Sequence, residues 1–414
     1  MTAVAHPSQA TGPLPRPAVP DQSARTAPLP AATGAWREGD PVAGRRFADL
    51  GTLPLQFGGE LPGVRLAYET WGTLDADGGN AVLVLHALTG DAHVSGPAGP
   101  GQPTPGWWDG LVGPGLALDT DRWFVVAANV LGGCQGSTGP ASIRPGTDRP
   151  WGSAFPRVTV ADQVTAEARL ADHLGVGRWA TVIGGSMGGM RALEWAVGHP
   201  DRVGAALVLA TSAAATADQI GTQSTQIAVV RADAGWHGGD YHDLPPGCGP
   251  HTGLGLARRI AQLTYRTAEE LHLRFGRDAQ EGEVPEVGGR YAVQSYLDHH
   301  ADKLVRRFDA GSYVALTDAM NTWDVGRGRG GTEAALRSCR TPLVVAGVDS
   351  DRLYPIAEQR FIAEAAAGTV GGLRVIRSPF GHDGFLLEAD QLVPLVLEAL
   401  ELGERAGRSP AGRA

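Results

Sequence analysis

The sequence predicts an α/β fold with a mostly parallel sheet covered by helices on both faces. Two observations carry this. Short β-branched runs alternate with helix-period segments, and each run is apolar at nearly every position, as strands buried on both faces must be. The runs are Ala81–His86, Trp123–Val130, Thr181–Gly184, Ala205–Ala210, Pro342–Val348 and Leu373–Ile376. The helical patterns that follow several of them are Val160–Leu174, Met187–Val197, Ile356–Ala366 and Ala389–Leu402.

The rhythm breaks between Ser212 and Arg340, where helical patterns recur (Leu254–Tyr265, Ala268–Phe275, Val293–Arg307, Ser312–Trp323) without a clear strand. This predicts a core over 37–211 and 341–402, with a helical lid inserted over 212–340. Residues 1–36 hold seven prolines among Ala, Ser and Thr. They have no apolar stretch of signal-peptide type, so they are expected to form a disordered tail. Residues 403–414 are expected to be a second flexible tail.

Composition narrows the function. Hydrophobic residues make up 43% and charged residues 19%, a globular balance. The longest apolar runs are far shorter than the ~20 residues that span a bilayer. The net charge of −9 argues against a broad nucleic-acid-binding face. Of 35 Lys and Arg residues only Lys303 is lysine, a skew we attribute to a GC-rich genome. Three widely spaced cysteines form neither a disulfide framework nor a CxxC motif, so no metal is expected and a reducing cytoplasm fits.

The sharpest local signal is Gly184-Gly185-Ser186-Met187-Gly188, a G-x-S-x-G between a strand-like run and a helix-like run. That context suits a nucleophile elbow, in which glycines clear space for a strained serine at the start of a helix. There the first N–H groups can meet an oxyanion. A serine needs a base, and the base needs an orienting acid. His382 lies between glycines just past the last strand-like run, and no histidine follows it. The acid should follow Pro342–Val348, where position alone leaves Asp349 and Asp351 open. The oxyanion donors are expected at the N–H of Met187 and, in the loop after Ala81–Leu85, of Leu88. Cys134 has no nearby base and is expected to pack.

Together these segments resemble the homoserine O-acyltransferase family, in its homoserine O-acetyltransferase branch, within the α/β-hydrolase superfamily. The resemblance is carried by Tyr68–Gly72, His86–Gly90, Gly132–Pro140, Gly184–Arg191, Ala257–Ile260, Thr264–Arg266, Arg307–Tyr313, Ser350–Pro355 and Gly381–Asp383. It implies Asp351 rather than Asp349 as the acid. It also implies Arg258 and Asp383 as the groups that bind the amino acid's carboxylate and ammonium. Gly311 departs from the family, which often has Asn there. The activity implied is acetyl transfer from acetyl-CoA to the hydroxyl of L-homoserine for methionine synthesis. Acetyl-CoA would be a co-substrate, with no resident cofactor, and two subunits would pair through lid helices. Rival readings are an esterase, a sibling using succinyl-CoA or serine, and a non-catalytic binding protein.

Overall fold

The computed structural model describes residues 28–408. Its centre is an eight-stranded sheet. In chain order the strands are β1 (Arg46–Pro54), β2 (Glu60–Trp71), β3 (Ala81–Leu85), β6 (Phe124–Ala128), β7 (Trp179–Gly185), β8 (Val203–Leu209), β9 (Leu343–Val348) and β10 (Thr369–Ile376); a separate two-stranded piece pairs β4 (Val112–Gly113) with β5 (Leu118–Asp119). The spatial order is β1-β2-β6-β3-β7-β8-β9-β10. β1 and β2 are antiparallel, β2 meets β6 antiparallel, and every pairing from β6 through β10 is parallel.

Side chains alternate across this sheet with the period of two that a strand imposes. Leu83 and Leu85 of β3 join one apolar layer with Val182, Ala206 and Val345. Val82 and Val84 join the other with Ile183, Leu207 and Val344. The first layer is covered by α1 (Val160–His173), α2 (Met187–Gly198) and α9 (Ile356–Ala365); the second is covered by α11 (Ala389–Arg408), through Leu392, Val396 and Ala399. α1 begins in a capping box. The Thr159 hydroxyl accepts from the Asp162 N–H and the Asp162 carboxylate accepts from the Thr159 N–H, satisfying two donors that the first turn leaves orphaned.

Between β8 and β9 lie α3 (Ala217–Arg231), α4 (His251–Tyr265), α5 (Ala268–Phe275), α6 (Ala292–Val305), α7 (Ala310–Asn321) and α8 (Thr332–Ser338). α8 packs back on the core, where Leu336 is fully buried and its carbonyl accepts from the Ala367 N–H. The helix-period segments foresaw α4 to α7 but not α3. Three of its five buried positions are glutamines, Gln219, Gln223 and Gln226, beside Ile227 and Val230, so an apolar periodicity search passes over it. β1 and β2 were also missed, because glycines and irregular register at Gly51 blur their alternation.

Both tails differ from expectation where they are described. Residues 28–36 are held by the lid: Thr33 Oγ1 donates to Asp309 Oδ1 at 2.7 Å and the Gly34 N–H to the Phe308 carbonyl. Trp36 N–H donates to the Cys134 carbonyl. Residues 1–27 lie outside the described part. At the other end α11 runs on through Gly403, where it crosses β7 so closely that a Cβ would sit 2.1 Å from the Ala180 carbonyl oxygen. That glycine marks a helix–sheet contact, which composition reads as a tail. Residues 409–414 are outside the described part.

Candidate active site

The site is assembled at the C-terminal ends of β3, β7 and β9 and in the turn after β10. Ser186 sits between β7 and α2 with φ 59° and ψ −124°, a conformation that costs a non-glycine residue about 1–3 kcal/mol. The surroundings over-determine it. The Ser186 N–H donates to the Leu209 carbonyl and its own carbonyl accepts from the Met190 N–H. Glycine is obligatory beside it: a Cβ on Gly184 would lie 2.1 Å from the Gly188 oxygen, and one on Gly188 2.1 Å from the Leu85 oxygen.

His382 lies in a one-turn 3-10 helix (Gly381–Asp383) and is buried. Its Nδ1 bonds Asp351 Oδ2 at 2.6 Å. The other oxygen, Oδ1, accepts from the N–H groups of Leu353 and Tyr354 at 2.8 and 2.9 Å. The Asp351 carboxylate is thus fixed at both oxygens, and His382 Nε2 is the ring nitrogen left to exchange a proton. Asp349 is placed differently, accepting from the Ser378 N–H.

Two aromatic residues join the imidazole to the serine. The Tyr354 ring lies 5.2 Å from that of His382, and its hydroxyl faces Ser186 and Gln223 of α3. Burial, then Tyr265 and Asp351, pushes this phenol's pKa well up, so it stays protonated. The Phe385 ring lies 5.1 Å from His382 and presses on Gly185, where a Cβ would meet it at 2.5 Å. Tyr265 completes the box, 5.8 Å from His382. Tyr354 therefore contacts Asp351 and His382 and faces Ser186, a convergence that Ser350–Pro355 as a motif does not announce.

The two expected oxyanion donors lie on the elbow helix and in the β3 loop. Met187 opens α2, and Leu88 lies in the loop after β3; among the described residues neither N–H has a hydrogen-bond partner. The β3 loop is held by buried groups. His86 Nε2 accepts from the Val130 N–H at 3.1 Å, and Nδ1 bonds the Ala87 carbonyl. Burial first, and Arg191 second, push the His86 pKa down to about 3, so its imidazole is neutral. Arg191 of α2, itself fully buried, donates to the His86 carbonyl and to Glu167 of α1, locking elbow and loop together.

Arg258 on α4 stacks over Tyr265, 5.2 Å from the ring centroid, and its buried Nε has no hydrogen-bond partner. Asp383 forms an ion pair with Arg266 Nε at 3.2 Å, a partner the sequence reading did not anticipate. Burial raises the Asp383 pKa, opposed by Arg266, His382 and Arg258. Both groups thus surround the His382–Tyr265 pair. Cys134 is buried and its thiol is pushed up to about 12 by burial and then Asp309, so it carries no thiolate. Among the described residues no group of three His, Cys, Asp or Glu side chains could hold a metal ion.

Comparison with known proteins gives the family. Residues 80–389 match the family model described as the alpha/beta hydrolase fold. The chain is 62% identical, over 91% of its own length and 98% of the relative's, to the homoserine O-acetyltransferase of Thermobifida fusca (strain YX). Among solved structures it is similar to the homoserine O-acetyltransferase of Bacillus anthracis, with TM-score 0.77 and 26% identity over 86% of this chain and 97% of that one. Esterase E22, at 23% identity, TM-score 0.78 and covering 86% and 99%, shares the fold. The strained serine, the buried acid–imidazole pair and this degree of identity place the chain in the homoserine O-acetyltransferase family, on the alpha/beta hydrolase fold.

Proposed function

We propose that this protein transfers an acetyl group from acetyl-CoA to the side-chain hydroxyl of L-homoserine, as a step in methionine biosynthesis. The observation that supports this most directly is the 2.6 Å bond from Asp351 to His382, beside a serine on a strained elbow. His382 Nε2 takes the Ser186 proton as Oγ attacks the thioester carbonyl. The N–H groups of Met187 and Leu88 stabilise the oxyanion. The C–S bond breaks, His382 returns its proton to the thiolate, and CoA leaves an acetyl-serine.

Homoserine then enters. The Arg258 guanidinium, stacked on Tyr265, suits its α-carboxylate, and Asp383, oriented by Arg266, suits its α-ammonium. His382 removes the side-chain hydroxyl proton, the alkoxide attacks the acetyl carbon, and the proton passes back to Ser186 as the ester departs. The scheme needs neither metal nor organic cofactor. It implies ping-pong kinetics, with parallel double-reciprocal lines.

Two further readings rest on the same assignment. Leu256 and Leu263 lie seven residues apart on α4, each 42% exposed, and Ile220 of α3 is 40% exposed; these support pairing of two subunits through the lid. No helix among the described residues is long and apolar enough to cross a membrane. With the biosynthetic activity, this fits a cytoplasmic enzyme.

Thiol release from acetyl-CoA or succinyl-CoA, with homoserine or serine as acceptor, tests the proposal. Release from acetyl-CoA that requires homoserine is expected. Release indifferent to the amino acid would make the protein an esterase, and a preference for succinyl-CoA or serine would make it a sibling transferase.

A further inference from the structure

The lid carries positive charge that the acyl-transfer scheme leaves unused. Lys303, the chain's single lysine, is exposed on α6. His299 and His300 stand about one turn before it and Arg307 one turn after it. Spacings of three and four residues put these side chains along one side of the segment. α4 runs alongside, since a Cβ on Gly255 would lie 3.5 Å from that of Ala301 and 3.8 Å from a Val305 methyl.

Lys303 lacks a counter-charge. Among the described residues no ion pair reaches Lys303 or His300, while the neighbouring acids are engaged: Asp298 with Arg259 and Arg290, Asp302 with Arg306, and Asp383 with Arg266. Arg307 faces Asp91. Burial first, and the neighbouring cations second, act on the titration of the cluster. Burial, then Arg258, His299, Arg266 and Lys303, push His300 down to about 3, so it is neutral. Partial burial, then Arg307 and Arg258, lower the Lys303 pKa as well. In a chain of net charge −9, a lysine with no carboxylate partner, in line with Arg307, is an arrangement that an anionic ligand completes.

The position of the cluster says which ligand. Arg307 Nη2 donates to the Thr89 carbonyl at 2.7 Å, in the same loop as Leu88. The charged side of α6 therefore starts beside the oxyanion donors and leads away from them. A cleft of about 260 Å³ adjoins it, its charged and amide lining being Arg306, Arg307, Gln135, Asp40 and Asp91. Arg258 lies at the inner end, where the amino acid's carboxylate is assigned. What enters past Lys303 and Arg307 is the other substrate, whose carrier bears a 3′-phosphate and a diphosphate.

We propose that the α6 side of the lid, through Lys303 and Arg307, binds the phosphate groups of the acyl donor. This rests on the thioester-donor reading above. Lysine suits the role as a mobile point charge that meets phosphate without fixed geometry.

Steady-state kinetics with acetyl-CoA and with S-acetylpantetheine, which lacks phosphates, test the proposal in the full-length enzyme. Lys303→Glu is expected to raise KM at least tenfold for acetyl-CoA and less than twofold for S-acetylpantetheine, and Lys303→Arg to stay near wild type. The KM for acetyl-CoA should also rise with salt. Equal shifts for the two donors, or none for acetyl-CoA, overturn the proposal. Calorimetric titration with adenosine 3′,5′-bisphosphate separates this from the assignment of the reaction. Binding that Lys303→Glu weakens tenfold supports the phosphate site even in a protein that transfers no acetyl group. Absent binding, or binding the variant leaves unaltered, refutes it.

Discussion

Ser186 is the residue whose loss should be most severe. Ser186→Ala removes the attacking oxygen but keeps the elbow, so kcat is expected to fall by about 10⁴-fold or more while the thermal midpoint stays close to wild type. A drop of less than tenfold in the acyl-transfer assay would leave the serine outside the chemistry. Arg258 offers a different signature. Its proposed partner is a carboxylate of the bound amino acid, and a charge-assisted hydrogen bond contributes about 1.5–3 kcal/mol. Arg258→Ala should therefore raise KM for homoserine by roughly 10–100-fold, with less effect on KM for the acyl donor; matched changes in both would contradict the assignment. At this scale the sequence was most informative about Ser186 and His382, because a strained elbow and a last loop histidine leave local marks. It was silent about Tyr354, whose N–H, ring and hydroxyl reach three different partners only after the loop behind β9 has folded.

Between elements, the two sharpest joints are the β7–α2 turn and the anchorage of the lid. Gly184→Ala would drive a methyl group into the Gly188 oxygen, and the backbone there cannot yield without moving Ser186. A loss of about 3 kcal/mol in denaturant unfolding, accompanied by loss of activity, is expected. Asp309, at the start of α7, accepts from Thr33, Tyr241 and the Ser312 N–H and faces His242 at 3.2 Å. Burial opposes its charge, but His242 and the hydrogen bonds outweigh burial and hold its pKa at about 2, below the ordinary 3.8. A depressed carboxylate stabilises the fold above its unfolded value and loses that contribution as pH falls through the folded one. Asp309→Asn should thus cost on the order of 2 kcal/mol at pH 7, and the gap to wild type should narrow between about pH 4 and pH 2. A gap independent of pH in that window would show that the charge is not what holds the strap to the lid. Strands and helices with apolar repeats were legible in advance. Those whose buried face is largely glutamine, like α3, were not, since a glutamine signals burial only once its partner is known.

For the molecule as a whole, charge and lid geometry set what can be measured. The exposed leucines of α4 are expected to be covered by a second copy, so light scattering should give about twice 43.1 kDa. Leu256→Glu with Leu263→Glu should halve that mass while leaving the triad residues in place. A wild-type monomer at micromolar concentration would remove the lid-pairing proposal. The division into core and lid was readable from the break in strand rhythm. The path of residues 28–36 over the lid was not, because composition records flexibility of the isolated segment and not the partners waiting for it.

What the sequence determined by itself is what short-range physics encodes: a parallel sheet from apolar β-branched runs, an elbow from glycines around a serine, and an acid–base pair narrowed to two aspartates and one histidine. The tertiary structure brought to His382 the carboxylate that the resemblance had implied, Asp351, and it alone decided that Arg266 holds Asp383 and that Tyr354 and Phe385 lie against the imidazole. Each of these depends on loops from different strands arriving at one edge of the sheet. Residues 186, 351 and 382 become neighbours because β7, β9 and β10 run parallel and end on the same side, a consequence of packing that no local window of sequence contains.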